Sequence, residues 1–379
     1  MKTTKIVSLL IICLSTLSYG YQEVYDYHNI RQKAMGGTTV ATFGRITDFY
    51  QNPAILALDK NVKLGFPKFG YGVNKDFFND LQRINDVANG TNETEQINML
   101  KDLVPLKTNF SLDFLPLVAF TGSRFGAISY AKGVFTGNLK RKTSPTLYLE
   151  GSFDTNLQIG YGHTFNYNNR NIHLGIAPRF TRKFIPYDQQ TGNETYTLTQ
   201  SDLIKITNGI TELDPNLYEL AGIGIDAGGL YSYELKSGAK GNVGFSIKNL
   251  LSFMSGNKDI VENGLLVNKK VNHNDSLVLS IGNSIEVNLP IITKVQLATD
   301  YNVIAPTQSF VKRIHIGAEK NILKFLDLRG GINQGFIVGG FGINLFLLQL
   351  DYAYFTEEFS GYIGKNTVET HNLQFSLLF

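Results

Sequence analysis

What the chain lacks narrows its class. Among 379 residues it has one cysteine, Cys13, and no tryptophan. Cys13 lies in a stretch with the grammar of an export signal: Lys2 and Lys5, an apolar run over 6–14, then Ser18-Tyr19-Gly20 as a small-x-small cleavage site. Residues 1–20 are expected to leave, and a mature chain from Tyr21 has no thiol. A disulfide framework and a cysteine-ligated metal centre are thereby excluded. No apolar run reaches the eighteen or so residues of a membrane-crossing helix. Charge of one sign is missing too. The formal net charge of +3 falls to about +1 without Lys2 and Lys5, far from the positive field of a nucleic-acid binder.

Glycine (37), phenylalanine (26) and tyrosine (19) are abundant, and apolar residues recur at every second position. Leu373, Phe375, Leu377 and Phe379 oppose Asn372, Gln374 and Ser376; Val295, Leu297, Thr299 and Tyr301 oppose Gln296 and Asp300. One apolar face against one small or charged face suits a wall between lipid and a polar or crowded lumen. Strands are expected near 61–75, 107–120, 124–136, 145–166, 172–187, 219–236, 241–251, 276–289, 293–304, 311–322, 325–334, 336–345, 346–356 and 368–379. That is about fourteen, an even number as in single-chain membrane barrels. Long connections (76–106, 137–144, 188–218, 252–275, 357–367) follow odd-numbered strands and short turns follow even ones, as a barrel requires. The fold class is therefore all-β membrane, a 14-stranded antiparallel barrel with short loop helices. The helices are expected around 76–103, where Phe77, Phe78, Leu81 and Ile84 form an apolar stripe, and over 201–213, with Ser201 and Asp202 as caps.

Several residues have both a structural and a functional reading. The inward strand positions include Glu150, Arg179, Asp226, Glu234, Glu286, Asp300, His315, Glu319 and Asp351. Buried charges must pair or meet water, so they either pair with one another and with Arg31, Lys33 and Arg45 or line an ion path. His163, His173 and His315 are expected to be satisfied by carboxylates in the lumen, and no spacing supports a metal site. Ser280 or Ser284 beside His315 would be the candidates for hydrolysis, and both serines read more simply as polar lumen residues. No catalytic residue and no cofactor is assigned. Pro116 and Pro178 interrupt strands, as bulges or as a kink that opens the wall sideways.

Residues 28–58 do not alternate. Their small residues and the Asn52-Pro53-Ala54 corner read as a compact segment packed inside something. Here Ala34-Met35-Gly36-Gly37-Thr38-Thr39-Val40-Ala41 and Asp48-Phe49-Tyr50-Gln51-Asn52-Pro53-Ala54-Ile55-Leu56-Ala57 resemble the N-terminal hatch of the FadL-like superfamily: long-chain fatty-acid transporters, PorV-type secretion proteins and TraF-like chains. The strands around Leu328-Arg329-Gly330-Gly331 and Leu350-Asp351-Tyr352 are similar to the closing strands of its TraF-like branch. The resemblance implies a hatch over 21–58 inside a barrel over 59–379, with Met35, Gly36, Gly37, Asn52, Pro53 and Ala54 as its gate. It implies residence among the lipids of a bacterial outer membrane, delivery by the barrel assembly machinery, and passive uptake of a hydrophobic or amphipathic small molecule, fatty acids being the family's example. In that reading Phe77, Phe78, Leu81 and Ile84 capture the ligand. The alternative is a scaffold for secretion or protein interaction with no substrate. Gln51 replaces the family's usual aromatic before Asn-Pro-Ala.

Overall fold

The computed structural model describes residues 29–377 except 59–60, 169, 208–215, 289–293, 306–308, 323–324, 346–347, 359–363 and 365–366. The expected signal, residues 21–28 and Phe379 lie outside the described residues. Fourteen antiparallel strands form the wall. They are β1 Lys68–Asn74, β2 Leu106–Gly122, β3 Phe125–Lys140, β4 Thr146–Tyr167 and β5 Arg170–Tyr187. Then come β6 Asn216–Glu234, β7 Lys240–Glu262, β8 Val278–Asn288, β9 Lys294–Ile304 and β10 Ile314–Ile322. The set ends with β11 Leu326–Asn333, β12 Phe336–Asn344, β13 Leu348–Glu358 and β14 Thr367–Leu377. Each pairs with the next, and β14 pairs back onto β1, so the sheet closes.

Alternation explains the wall. On β4, Leu157, Ile159 and Tyr161 are exposed while Asn156 and Gln158 are buried. On β5, Ile172, Leu174, Ile176 and Phe180 are exposed while His173, Arg179, Thr181 and Lys183 are buried. A water-soluble fold buries its apolar face; this one buries its polar face and presents the apolar one. The arrangement is stable only when hydrocarbon covers the outside, which makes this a transmembrane barrel. Closure leaves no sheet edge for lipid to desolvate. No described helix is long and apolar enough to cross a membrane.

The expected strands all form, with three differences in extent. The strand expected over 61–75 is broken at Pro67, which has no N–H for the ladder; Lys63–Gly65 pairs separately with Ala119–Thr121. The segment expected as a loop over 252–275 is instead a continuation of β7 to Glu262, which turns at Asn263-Gly264 and returns as a strand over Leu265–His273. Asn263 and Gly264 both have positive φ, 53° and 79°, the conformation that an Asn-Gly hairpin turn supplies. β3 likewise runs on to Lys140, shortening the loop expected at 137–144. The span expected over 145–166 is one strand, with Gly151 absorbed at φ 153°.

The connections after β1 and β5 carry helices, whereas α1 (Ile30–Ala34) belongs to the N-terminal segment. α2 (Phe77–Ala88) and α3 (Glu93–Leu103) form the pair expected around Asn89-Gly90. At the start of α4 (Gln200–Thr207) Thr199 Oγ1 accepts from Asp202 N at 3.4 Å, and the expected Asp202 accepts in return from Thr199 N and Oγ1 at 2.9 and 2.6 Å. The remainder of 201–213 lies outside the described residues. Val87, Leu100, Leu103, Leu203 and Ile204 pack with Leu106, Leu139 and Leu198, so the helices are fixed to the rim of β2 and β3.

A closed barrel resists detergent until heated. An unheated sample is expected to migrate faster than a boiled one on a denaturing gel, and identical migration would contradict the closed sheet.

Candidate functional site

Residues 29–58 have almost no repetitive structure and are nearly all buried. α1 is only five residues long, held by a capping box in which the Asn29 side chain accepts from Gln32 N and Gln32 Oε1 accepts from Asn29 N. Gly36 and Gly37, at φ 68° and 79°, stop it in the left-handed conformation that glycine adopts without penalty. Asn52 caps the 3₁₀ turn Pro53–Ala57: its Oδ1 accepts from Ala54 N at 3.1 Å, and its Nδ2 donates to Val40 O at 2.6 Å. The Asn-Pro-Ala corner therefore ties the two halves of the segment together.

An irregular backbone leaves N–H and C=O groups that must find partners inside a membrane protein. The wall supplies them. Asp300 Oδ2 accepts from the backbone N–H groups of Thr39 and Val40 at 2.5 and 2.9 Å. His315 Nδ1 donates to Gly36 O at 2.9 Å and Ser284 Oγ to Ala41 O at 2.7 Å. Ser246 Oγ donates to Gln51 O at 2.6 Å and Lys248 Nζ to Tyr50 O at 2.5 Å. The wall also makes room. A methyl group on Gly317 would collide with the Met35 carbonyl, and one on Gly175 with the Pro53 carbonyl.

Two buried charge clusters flank the segment. In the first, Arg329 bonds Glu319 (2.7 Å), Asp327 (3.0 Å) and Asp351 (2.6 Å), all across β10, β11 and β13. Arg31 joins it through Glu319 (2.8 Å) and Arg45 through Asp327 (3.3 Å). In the second, Asp226 accepts from Lys248 Nζ (2.7 Å), Arg179 Nη1 (3.2 Å) and Asn249 N (2.8 Å). A bulge makes this possible: the β6–β7 register shifts between Ile225 and Ala227, which turns both Lys248 and Asn249 toward Asp226. Breaking one partner of such a buried pair costs about 3–5 kcal/mol.

The wall has a seam between β1 and β2. β1 and β2 share a ladder over Gly70–Val73 and Phe110–Asp113, and the strand Lys63–Gly65 meets β2 again only at Ala119–Thr121. Residues 66–69 and 114–118 belong to neither ladder. On the other side of β2 the register with β3 also shifts, between Phe114 and Val118, around Pro116. Side chains close this seam. Outside, the Phe69 and Phe114 rings meet edge-on at 5.2 Å. Inside, Leu115 packs in a cluster with Phe49, Tyr50, Ile55 and Leu56 of the N-terminal segment. Behind it lies a cavity of about 10 Å³, bordered by Arg31, Arg45, Lys68, Leu115, Asp351 and Gln374, room for about one water.

No protein-family description and no curated protein matches the chain. Solved barrels are similar over most of its length. The toluene transporter TbuX of Ralstonia pickettii is 12% identical, with 92% of this chain and 97% of that one aligned at a TM-score of 0.45. The monoaromatic hydrocarbon channel CymD is 10% identical over the same shares at 0.43, and the toluene transporter TodX of Pseudomonas putida 10% identical over 92% and 96% at 0.40. The β domain of the Bordetella autotransporter Brka is 9% identical, covering 83% and 99%, at 0.32. At such values the function has to be read from this chain's own residues.

The sequence-predicted residues sort clearly. Met35, Gly36, Gly37, Asn52, Pro53 and Ala54 all sit against the inner wall. Arg179 and Asp226 meet directly, Glu319 holds Arg31, and Asp300 and His315 face each other across β9 and β10. Glu286 stands apart, half-exposed and paired with Lys294 at 2.6 Å. Pro178 keeps its register with Ile225, and on its other side the β4–β5 ladder skips from Gln158 and Arg179 to Tyr161 and Ile176 without a shift, so it makes a gap but no bulge. Two of the histidines expected to meet carboxylates have hydroxyl neighbours: His173 lies 2.9 Å from Thr164 Oγ1, and His163 is outward-facing beside Tyr161 OH at 3.2 Å. Lys33 reaches Asn372. Ser284 Oγ and His315 Nδ1 bond the segment's backbone, while His315 Nε2 accepts from Asn302 Nδ2 and Ser280 Oγ donates to Asn302 Oδ1. Among the described residues no group of three or more His, Cys, Asp or Glu could hold a metal ion. On α2, Phe78 is 73% and Ile84 39% exposed; the Leu81 side chain lies outside the described residues. At the start of α2 burial pushes the Asp80 carboxyl up, against the pull of Asn74 and Arg83. Hydrogen bonds from Thr91 and Thr199 hold Glu95 and Asp202 below the usual carboxylate range. Those two caps are present at neutral pH and are lost as pH falls through the lowered values. The residues missed by sequence reading, Arg329, Asp327, Lys248 and Asn249, are recognisable only once strand register brings them together.

Gly317→Val and Asp300→Ala are expected to loosen residues 29–58 while leaving the wall closed. The second removes the acceptor of two buried N–H groups, at about 1–3 kcal/mol each. Limited proteolysis of the folded, heat-modifiable variants should cut within 29–58. A segment as resistant as in the parent would contradict this role of the wall.

Proposed function

We propose that the chain is an outer-membrane barrel of FadL-like type that passes a hydrophobic or amphipathic small molecule by passive diffusion, with residues 29–58 as its hatch. The seam between β1 and β2 carries this reading. There the wall is closed by side chains in place of a ladder, and an apolar hatch cluster stands directly behind it. Rotation of the Phe69 and Phe114 rings, with withdrawal of Leu115, opens a sideways path into lipid without breaking a run of backbone hydrogen bonds. Pro116 keeps the ladder from re-forming there, since it has no N–H to donate. The half-turn Met35-Gly36-Gly37 and the corner Asn52-Pro53-Ala54 are the points at which the hatch would move. Phe77, Phe78 and Ile84 of α2 form the capturing face.

A second reading rests on a different observation. The two charge clusters and the hatch fill the lumen so fully that the cavity behind the seam has room for about one water. A barrel sealed in this way suits a scaffold for secretion or protein interaction that carries no substrate.

Uptake across a reversibly locked seam separates the two. The mature chain has no thiol, so Phe69→Cys with Phe114→Cys gives two unique sites for a short cleavable cross-linker. Cells carrying the cross-linked protein are expected to take up labelled toluene or oleate no faster than cells without it, and cleavage should restore the rate. Equal uptake in all three, with a large protein co-purifying, would replace the conduit by the scaffold.

A further inference from the structure

A groove of about 580 Å³ opens at the mouth of the barrel, away from the seam and from the hatch. Three elements build it. Lys140 and Arg141 come from the end of β3, Tyr148 and Glu150 from the facing stretch of β4, and Asn193, Thr195 and Thr197 from the connection after β5. That connection is fixed. Gln189 O accepts from Val261 N at 2.9 Å and Gly192 O from Lys258 Nζ at 2.6 Å, both on the β7 extension. Asp188 Oδ1 accepts from the N–H groups of Gln190 and Thr191 at 2.8 and 2.9 Å, and Tyr196–Leu198 pairs with Leu147–Leu149. The groove is therefore held open by backbone contacts on both sides, and its size lies in the range of small-molecule sites.

We propose that this groove binds a saccharide. The chemistry of its lining selects that class. A sugar hydroxyl is both donor and acceptor, so its site must interleave the two. Lys140 and Arg141 donate, Glu150 accepts, and the Thr195 and Thr197 hydroxyls and the Asn193 amide do both. The ring of Tyr148 is the one large apolar surface, and Lys140 Nζ and the Arg141 guanidinium lie 5.6 and 5.8 Å from its centroid. A hydrocarbon finds little to bury against here. An inorganic anion is disfavoured as well, because Glu150 and Asp188 balance the two cations. A polyhydroxylated ring, with one face on Tyr148 and its edges among these groups, satisfies the whole lining. The source is either a free sugar reaching the mouth or the sugar head of a glycolipid in the surrounding leaflet. The inference stands apart from the transport reading and does not need it.

The absence of tryptophan gives a direct test. Tyr148→Trp places the chain's sole indole in the groove, and fluorescence is followed in a polyoxyethylene detergent, which carries no sugar. A saturable change in emission is expected with maltotriose or with deacylated lipopolysaccharide oligosaccharide. A response to both assigns free sugar as a ligand, and a response to the second alone assigns the glycolipid head. Adding Glu150→Ala or Asn193→Ala should weaken the response about tenfold or more, the scale of one or two lost hydrogen bonds. Titration calorimetry on the unsubstituted protein gives the same readout if the indole disturbs the groove. No response to either saccharide in both measurements overturns the proposal, and so does a response to inorganic phosphate or to toluene alone.

Discussion

A backbone without regular structure cannot remain inside a membrane barrel unless something else satisfies its polar groups. That constraint organises this molecule. Residues 29–58 expose donors and acceptors along their length, and Asp300, His315, Ser284, Ser246 and Lys248 are the wall's answers to them. The same constraint explains why several inward positions are glycine, since a segment whose backbone is bonded to the wall must approach it closely. It also explains the buried charges. Arg31 and Arg45 enter with the segment and require carboxylates, and the network through Glu319, Asp327 and Asp351 then requires Arg329.

Such a filled interior makes the seam at Pro116 the natural weak point. Between Asp113 and Ala119 β2 has no ladder with the strand before it, and the wall there is two phenylalanine rings outside and a leucine inside. Opening a ladder exposes backbone groups to hydrocarbon, whereas parting side chains exposes only apolar surface, which lipid or an apolar solute covers equally well. A route through the wall is therefore far less costly than a route through the charge clusters. The polar groove at the mouth belongs to a different chemistry and a different part of the barrel, above the rim strands of β3 and β4.

How much of this was legible in the sequence follows from which interactions are local. The strands were, because alternation is a property of consecutive residues, and all fourteen formed. The helices α2 and α3 were legible from spacing around Asn89-Gly90. Asn263-Gly264 is an equally local hairpin signal, lying inside the span expected as a loop. The break at Pro67 could have been read from the missing N–H. The seam could not, since Pro116 and Pro178 look alike in sequence and differ only in the register of their neighbours. Nor could the partners of Asp226 or of the histidines, which depend on a bulge at 248–250 and on which rim a residue reaches. The buried character of 29–58 was legible because it failed to alternate, while what holds it there is a property of the closed barrel.

The most direct measurement of this account is residue-resolved hydrogen exchange of the protein in lipid vesicles. The account predicts that the amides of Thr39, Val40 and Ala54 exchange as slowly as those of the wall, while residues 66–69 and 114–118 exchange faster than the strands on either side. Rapid exchange throughout 29–58, with a uniformly protected wall at Pro116, would contradict both the wall's hold on the segment and the seam.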